Sequence, residues 1–316
     1  MDQHPNQPYP ADDLPDGEEG SLFLNDITKL DCAIFEPGHG VVGASWHVDV
    51  VLTGVLDPNG FVYDFSLLKK LVRQTLKESV DHALVIPIGS QTVQYNETPD
   101  GEQWTLETRG RGTNPGFKWS YSCPKGAVYP IRCVALTNSV IEQELARLLK
   151  HRLPASISDI RLKLRAEAVD PTEALFRYTH GITGHEGLCQ RLFHGHRSRI
   201  EVYIGDSRRA DLEHFVVTEI FGTEVHVATP QQLQTPAWTP GTRGQAGQTV
   251  ILAFRGSLGS YGGSLPAESV WLIEQETSIE CISRTVAQIL RKRFPKAEKI
   301  KVMCYEGIGK GGIGLA

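Results

Sequence analysis

The sequence has no CxxC pair, and its six cysteines (Cys32, Cys123, Cys133, Cys189, Cys281 and Cys304) are scattered along 316 residues. That spacing argues against a disulfide framework, and most of these thiols read as small buried apolar residues. No apolar run approaches the length of a membrane span, so no membrane partner is expected. Positive charge is not in excess: the formal net charge is −5 and the pI is near 6.1. A general nucleic-acid binder is excluded on that balance. The opening stretch, MDQHPNQPYPADDLPDGEEG, lacks the basic and apolar regions of a signal peptide. Residues 1–20 are therefore expected to be a disordered tail, and the protein to be cytoplasmic. What remains is ordinary globular composition, 40% hydrophobic and 22% charged, with length for two domains.

Against that background, Leu192-Phe193-His194-Gly195-His196 stands out. It runs into Arg199-Ile200-Glu201-Val202-Tyr203-Ile204, which reads as a strand. Side chains at i and i+2 of a strand share a face, so His194 and His196 present two imidazoles side by side. His180 closes another short apolar run upstream, and Cys189 lies between. Three neutral imidazoles with an open fourth position form the ligand set of a catalytic zinc.

Two stretches of the chain resemble each other in order and kind. Phe35-Glu36-Pro37-Gly38-His39 precedes a strand over Trp46–Gly54, and Phe176-Arg177-Tyr178-Thr179-His180 precedes the His194-Gly195-His196 strand. Each half then ends in a helix and a strand. The first pair is expected over Ser139–Lys150, with Ile141, Leu145, Leu148 and Leu149 on one face, and Ile160–Leu164. The second is expected over Ser278–Arg293 and Lys299–Cys304. Asp64 is expected to cap a further helix carrying Leu67, Leu68, Leu71, Val72, Thr75 and Leu76. A divergent counterpart is expected around Ala210–Phe221. This is the pattern of a duplicated small domain, with repeats over 21–170 and 171–316. Residues 92–130, with a hairpin turn at Thr98-Pro99-Asp100-Gly101, and residues 228–265, with one strand over Thr249–Phe254, read as surface insertions.

With these residues in order, the chain resembles the 6-pyruvoyltetrahydropterin synthase and 6-carboxytetrahydropterin synthase family. The first half resembles it through Phe35 to His39, Leu52 to Asp57, Tyr63 to Lys69 and Val80-Asp81-His82. The second does so through Phe176 to His180, Cys189, His194-Gly195-His196, Thr277 to Glu280 and Tyr305-Glu306. The resemblance implies an α+β chain of two tandem tunnelling-fold repeats, with antiparallel sheets and helices packed on one face. Where the family has HGH, the first half has Val42-Gly43-Ala44, so it is expected to hold no zinc. The second half keeps the histidines and the thiol but lacks a clean Asp-His pair. The halves are thus complementary.

The resemblance further implies zinc on His180, His194 and His196, Cys189 as general base, Asp81 and His82 as its relay, and Glu306, with Glu167 as its counterpart, gripping a pterin edge. The implied substrate is 7,8-dihydroneopterin triphosphate, converted to 6-carboxy-5,6,7,8-tetrahydropterin in a queuosine-type pathway, or to the 6-pyruvoyl product. Arg191, Arg197, Arg199, Arg208 and Arg209 surround the expected site. They read either as triphosphate contacts, Arg191 and Arg197 foremost, or as a solvated basic face. His185 is an alternative ligand, and His39 and His47 are leftovers of the degenerate half. The Gly307–Gly312 stretch is not read as a nucleotide loop, because no helix follows it. A non-catalytic pterin-binding protein and another tunnelling-fold chemistry are the competing readings. A homo-oligomer is expected, either a trimer of tandem chains or a dimer.

Overall fold

The computed structural model describes residues 19–36, 39–107 and 118–316. The first half contains strands β1 (Glu19–Glu36) and β2 (Gly40–Val55), helix α1 (Phe65–Lys77), and strands β3 (Leu84–Pro87), β4 (Val93–Thr98), β5 (Gly101–Glu107), β6 (Lys118–Cys123) and β7 (Val128–Ile131). Helix α2 (Asn138–Lys150) and β8 (Ile157–Arg165) complete it. The second half contains β9 (Leu175–His180), β10 (His194–Ile204), β11 (Ser207–Arg208), α3 (Ala210–Phe215), β12 (Glu224–Ala228), β13 (Thr249–Gly256), β14 (Gly259–Pro266), β15 (Val270–Leu272), α4 (Ile279–Arg293), β16 (Ile300–Tyr305) and β17 (Gly311–Leu315). The expected tail lies outside the described residues up to position 18; Glu19 and Gly20 already belong to β1.

The helices start where side chains satisfy free N–H groups. Asp64 accepts from Leu67 N, Thr137 from Val140 N and Ser278 from Cys281 N. Helix α3 runs on as a π-helical stretch, Val216–Phe221, and stops at Gly222 with φ +69°.

The two halves repeat one sheet. Strand order is β7-β3-β1-β2-β8 in the first and β15-β12-β9-β10-β16, with β17 added, in the second. In both, the strand after the first helix of the half runs parallel to its first strand (β3 on β1, β12 on β9), and a later strand (β8, β16) runs antiparallel to the second. Matching order and direction is what duplication of one unit produces. The class is α+β, as expected. The sheets are mixed rather than wholly antiparallel, because the connections through α1 and α3 are long enough to return the chain parallel.

The two expected insertions meet. Their strands form a single third sheet in the order β13-β14-β6-β5-β4, with Gly262 opposite Ser122 and Ser264 opposite Ser120. The hairpin at Thr98–Gly101 is present, with Thr98 opposite Gly101. The strand expected at Thr249–Phe254 gains a partner, β14, whose Gly-Ser-rich sequence gives little strand signal. An isolated two-stranded hairpin is marginal in water. Joined, the strands bury Trp104, Trp119, Tyr121, Val250, Leu252 and Tyr261 in one cluster with Leu192 and Phe193. These segments are therefore core-forming, not separate surface elaborations.

Contact density divides the chain into two units. The first takes the described part of Met1–Leu30 with Trp46–Asp81 and Leu136–Ala168. Its helices bury Leu68, Val72, Leu76, Ile141, Leu145 and Leu149. Leu67, expected on the apolar face of α1, is exposed, as are Phe61 and Phe65. The second unit takes Asp31–Ser45, His82–Ala135 and Val169–Ala316. It holds the cluster around Phe193 and another in which Phe176, Tyr178, Phe221, Trp271 and Val286 pack together.

Candidate metal centre

The antiparallel pairing of β9 and β10 sets His194 directly opposite His180, with His196 two residues on along the same face. All three side chains are buried, and their ligating nitrogens lie within 4.8 Å of one another. The His180 and His194 rings are 4.2 Å apart, centroid to centroid. Backbone carbonyls fix which nitrogen faces inward. His180 Nδ1 is 2.6 Å from Thr277 O, and His194 Nδ1 is 3.0 Å from Arg191 O. A carbonyl only accepts, so each Nδ1 must carry the proton and donate it. Their Nε2 atoms, and that of His196, are left buried with no hydrogen-bond partner. Burial, with the neighbouring imidazoles, pushes His180 and His194 well below the ordinary imidazole range. Both are therefore neutral, as metal ligation requires. Three converging orphan lone pairs on buried nitrogens fit a metal ion.

His196 is held differently. Its Nδ1 lies 3.3 Å from Asp31 Oδ1. Ser45 Oγ donates to the same Asp31 oxygen at 2.5 Å, and Lys310 Nζ stands 3.4 Å from Asp31 Oδ2. Burial raises the Asp31 pKa, but His196, Lys310 and Ser45 outweigh it and hold the carboxyl well below its usual range. Gly307, at φ +71°, makes room: a Cβ there would collide with Asp31 Oδ1 and Ser45 Oγ. Asp31 and Lys310 are residues the sequence reading missed. A lone carboxylate inside Leu30-Asp31-Cys32-Ala33-Ile34-Phe35 was the available signal, since an acid in a buried strand demands a partner.

His82 reaches the same cluster. Its ring stacks on His194 at 5.4 Å and meets His196 edge-on at 6.4 Å. Its φ of +56° is uncommon for a non-glycine residue, and its N–H donates to Asp31 O at 2.7 Å. Asp81, its chain neighbour, closes a segment of the first unit and donates its N–H to Leu76 O at 2.9 Å. Cys189 lies in the short turn Leu188–Gln190 and is half-buried. Glu306 Oε1 is 4.0 Å from His180 Nε2 and 3.9 Å from His196 Nε2, and its Oε2 is 3.5 Å from Lys310 Nζ. Glu167 follows β8 in the first unit. The Gly307–Lys310 segment is the turn between β16 and β17, closed by Glu306 N donating to Lys310 O.

Three of the five arginines, Arg199, Arg208 and Arg209, are held by carboxylates. Arg191 is buried near Gly126, Tyr121 and Tyr261. Arg197 donates its backbone N–H to Ser45 Oγ. Arg199 pairs with Glu201, Arg208 with Glu213 and Arg209 with Asp211. His185 accepts from Gly187 N, and His47 pairs with Asp26 within the first unit. His226, a further buried histidine, bonds Thr179 Oγ1 through Nδ1; burial pushes it down to about 3. A second group, Glu36, His39 and Glu224, also gathers ligand atoms. There the Arg177 guanidinium grips Glu36 at 2.8 and 2.9 Å and stands 4.0 Å from Glu224. That group is an ion-pair network with its cation in place.

Comparison with known proteins bears on the same chain. No curated protein sequence matches it. Similar solved structures include 6-pyruvoyl tetrahydropterin synthase from Plasmodium vivax, 22% identical over 48% of this chain and 93% of that one, with a TM-score of 0.38. The Plasmodium falciparum protein is 18% identical over 46% and 90%, with a TM-score of 0.36. A catalytic-residue mutant of the Plasmodium vivax protein is 22% identical over 46% and 90%, with a TM-score of 0.37. Residues 35–103 match the family model described as 6-pyruvoyl tetrahydropterin synthase.

Proposed function

We propose that the chain is a zinc-dependent lyase acting on 7,8-dihydroneopterin triphosphate and giving 6-carboxy-5,6,7,8-tetrahydropterin, on a queuosine-type pathway. The observation that carries this reading is the convergence of three buried, partnerless Nε2 atoms from His180, His194 and His196. Zinc bound there supplies Lewis acidity toward side-chain hydroxyls of the substrate. Cys189 serves as the base that takes a proton from carbon, and His82, with its chain neighbour Asp81, relays that proton. The stacking of His82 on His194 supports its place in the site. Glu306, with Glu167 as its counterpart in the other repeat, grips the donor edge of the pterin. Arg191 and Arg197 are the proposed triphosphate contacts. The pairing of Arg199, Arg208 and Arg209 with carboxylates speaks against a larger basic receptor.

The family model's own description favours a second reading, formation of the 6-pyruvoyl product. Both readings place the protein in the cytoplasm, as a homo-oligomer (a trimer of tandem chains, with a dimer as runner-up). Exposed Phe61, Phe65 and Leu67 beside Val55 and Leu56 support self-association. Mass spectrometry of the products from dihydroneopterin triphosphate separates the readings. A 6-carboxy product supports the first and a 6-pyruvoyl product the second. Unchanged substrate with zinc-loaded protein contradicts both.

A further inference from the structure

We infer that Asp31, on the strand of the repeat that has lost its own metal ligands, is the positioning residue that gives the metal centre its affinity. This rests on the metal reading above. Of the three proposed ligands, two have their Nδ1 atoms held by backbone carbonyls, Thr277 O and Arg191 O. No side-chain substitution removes those acceptors. His196 has a carboxylate instead: its Nδ1 lies 3.3 Å from Asp31 Oδ1, within ion-pair distance but short of hydrogen-bond alignment. A carboxylate behind a ligating imidazole fixes the ring's tautomer and orientation and raises its basicity toward the metal.

Asp31 is itself built in from several directions. Ser45 donates to Oδ1 and in turn accepts from the N–H of Arg197, the residue next to His196. Lys310 faces Oδ2. Gly307 leaves the space that Asp31 Oδ1 and Ser45 Oγ occupy. The backbone carbonyl of Asp31 accepts from His82 N, so one residue sets both His196 and His82. Asp31 and Ser45 sit on β1 and β2, the strands that carry no histidine ligand of the centre. The degenerate repeat thus supplies the outer support for ligands carried by the other.

The test is competition for zinc against a chromogenic chelator, using the full chain, with the absorption spectrum of the cobalt-substituted protein as a second readout. Asp31→Ala is expected to weaken zinc binding by about 10- to 100-fold and to shift the cobalt bands. Asp31→Asn keeps the shape and the acceptor oxygen but not the charge, and is expected to lose less. Ser45→Ala, which removes the hydroxyl steadying Asp31, is expected to fall between wild type and Asp31→Ala. Asp49→Asn is the control, a buried carboxylate of β2 paired with Arg165, and should leave zinc affinity unchanged. If Asp31→Ala does not fold, Asp31→Asn and Ser45→Ala decide the matter. Wild-type protein that takes up no zinc overturns the metal reading itself. Wild-type protein that binds zinc, with folded Asp31 and Ser45 variants of equal affinity and unshifted cobalt bands, overturns the role of Asp31 alone. Equal losses in Asp49→Asn also overturn it, because any buried carboxylate would then do the same.

Discussion

The first repeat carries Val42-Gly43-Ala44 where the second carries His194-Gly195-His196, and the two stretches pack together at their glycines. A Cβ on Gly195 would lie 2.7 Å from Gly43 Cα, and one on Gly43 would collide with Tyr178 O and the His196 backbone. Both glycines are therefore held by close backbone approach, whichever residues flank them. The two sheets also keep one strand order. What differs is the polar cargo. The second repeat holds the three imidazoles and the thiol. The first holds Asp31 beside His196, His82 against both His194 and His196, and Ser45 bonded to Asp31 and to the N–H of Arg197. On the proposed reading, the half without histidine ligands keeps a backbone frame and supporting groups, so the two repeats would complement rather than duplicate each other.

The largest expected effect comes from removing the cargo of the second repeat. His194→Ala combined with His196→Ala should abolish metal binding. Thermal unfolding of the variant should then no longer respond to added zinc, whereas wild-type protein with zinc at 1,000 times its Kd should gain about 4 kcal/mol. A zinc-dependent rise in Tm that persists in the double variant would break the assignment. Next come the groups proposed to move protons, one from each side of the comparison. Cys189→Ala and His82→Ala should each lower kcat by about 10²- to 10⁴-fold while zinc content stays at the wild-type level. Full turnover in either variant removes that residue from the chemistry.

A smaller effect, on stability, sharpens the role of the third sheet. Phe193 precedes His194 and packs edge-on against Trp119, Tyr121 and His226 at 5.9, 4.9 and 5.4 Å. Phe193→Ala should cost about 3–5 kcal/mol in chemical denaturation. A loss typical of a surface position would mean that strands β4–β6 and β13–β14 do not share a core with β10. The smallest effect is expected at Arg209, whose exposed pair with Asp211 leaves it no task at the site. Arg209→Ala should change neither KM nor Tm measurably; a several-fold rise in KM would return it to the substrate site.

Sequence pattern was most informative where it was local. The cap at Asp64, the His194-Gly195-His196 strand and the turn at Thr98–Gly101 each depend on residues within a few positions, and the structure has them. Pairing between distant segments was not legible. The β6–β14 contact joins residues near 120 to residues near 262, and β14 is too rich in glycine and serine to announce itself as a strand. At the metal centre the three histidines were visible as a pattern, but their orientation was not. The acceptors that fix two of them are the backbone carbonyls of Thr277 and Arg191, which no side-chain motif reports. Asp31 escaped because its partner His196 is far away in sequence. Leu67 was misplaced on the buried face because helical spacing alone does not set where that face ends.

The most direct measurement of complementary repeats is the zinc content of purified full-length protein, taken by elemental analysis together with that of a Val42→His, Ala44→His variant. With His180, His194 and His196 as the ligand set, wild-type protein should hold one zinc per chain. The variant should also stay at one, because the first repeat now serves as outer support. Two zincs per wild-type chain, or none, would contradict the account.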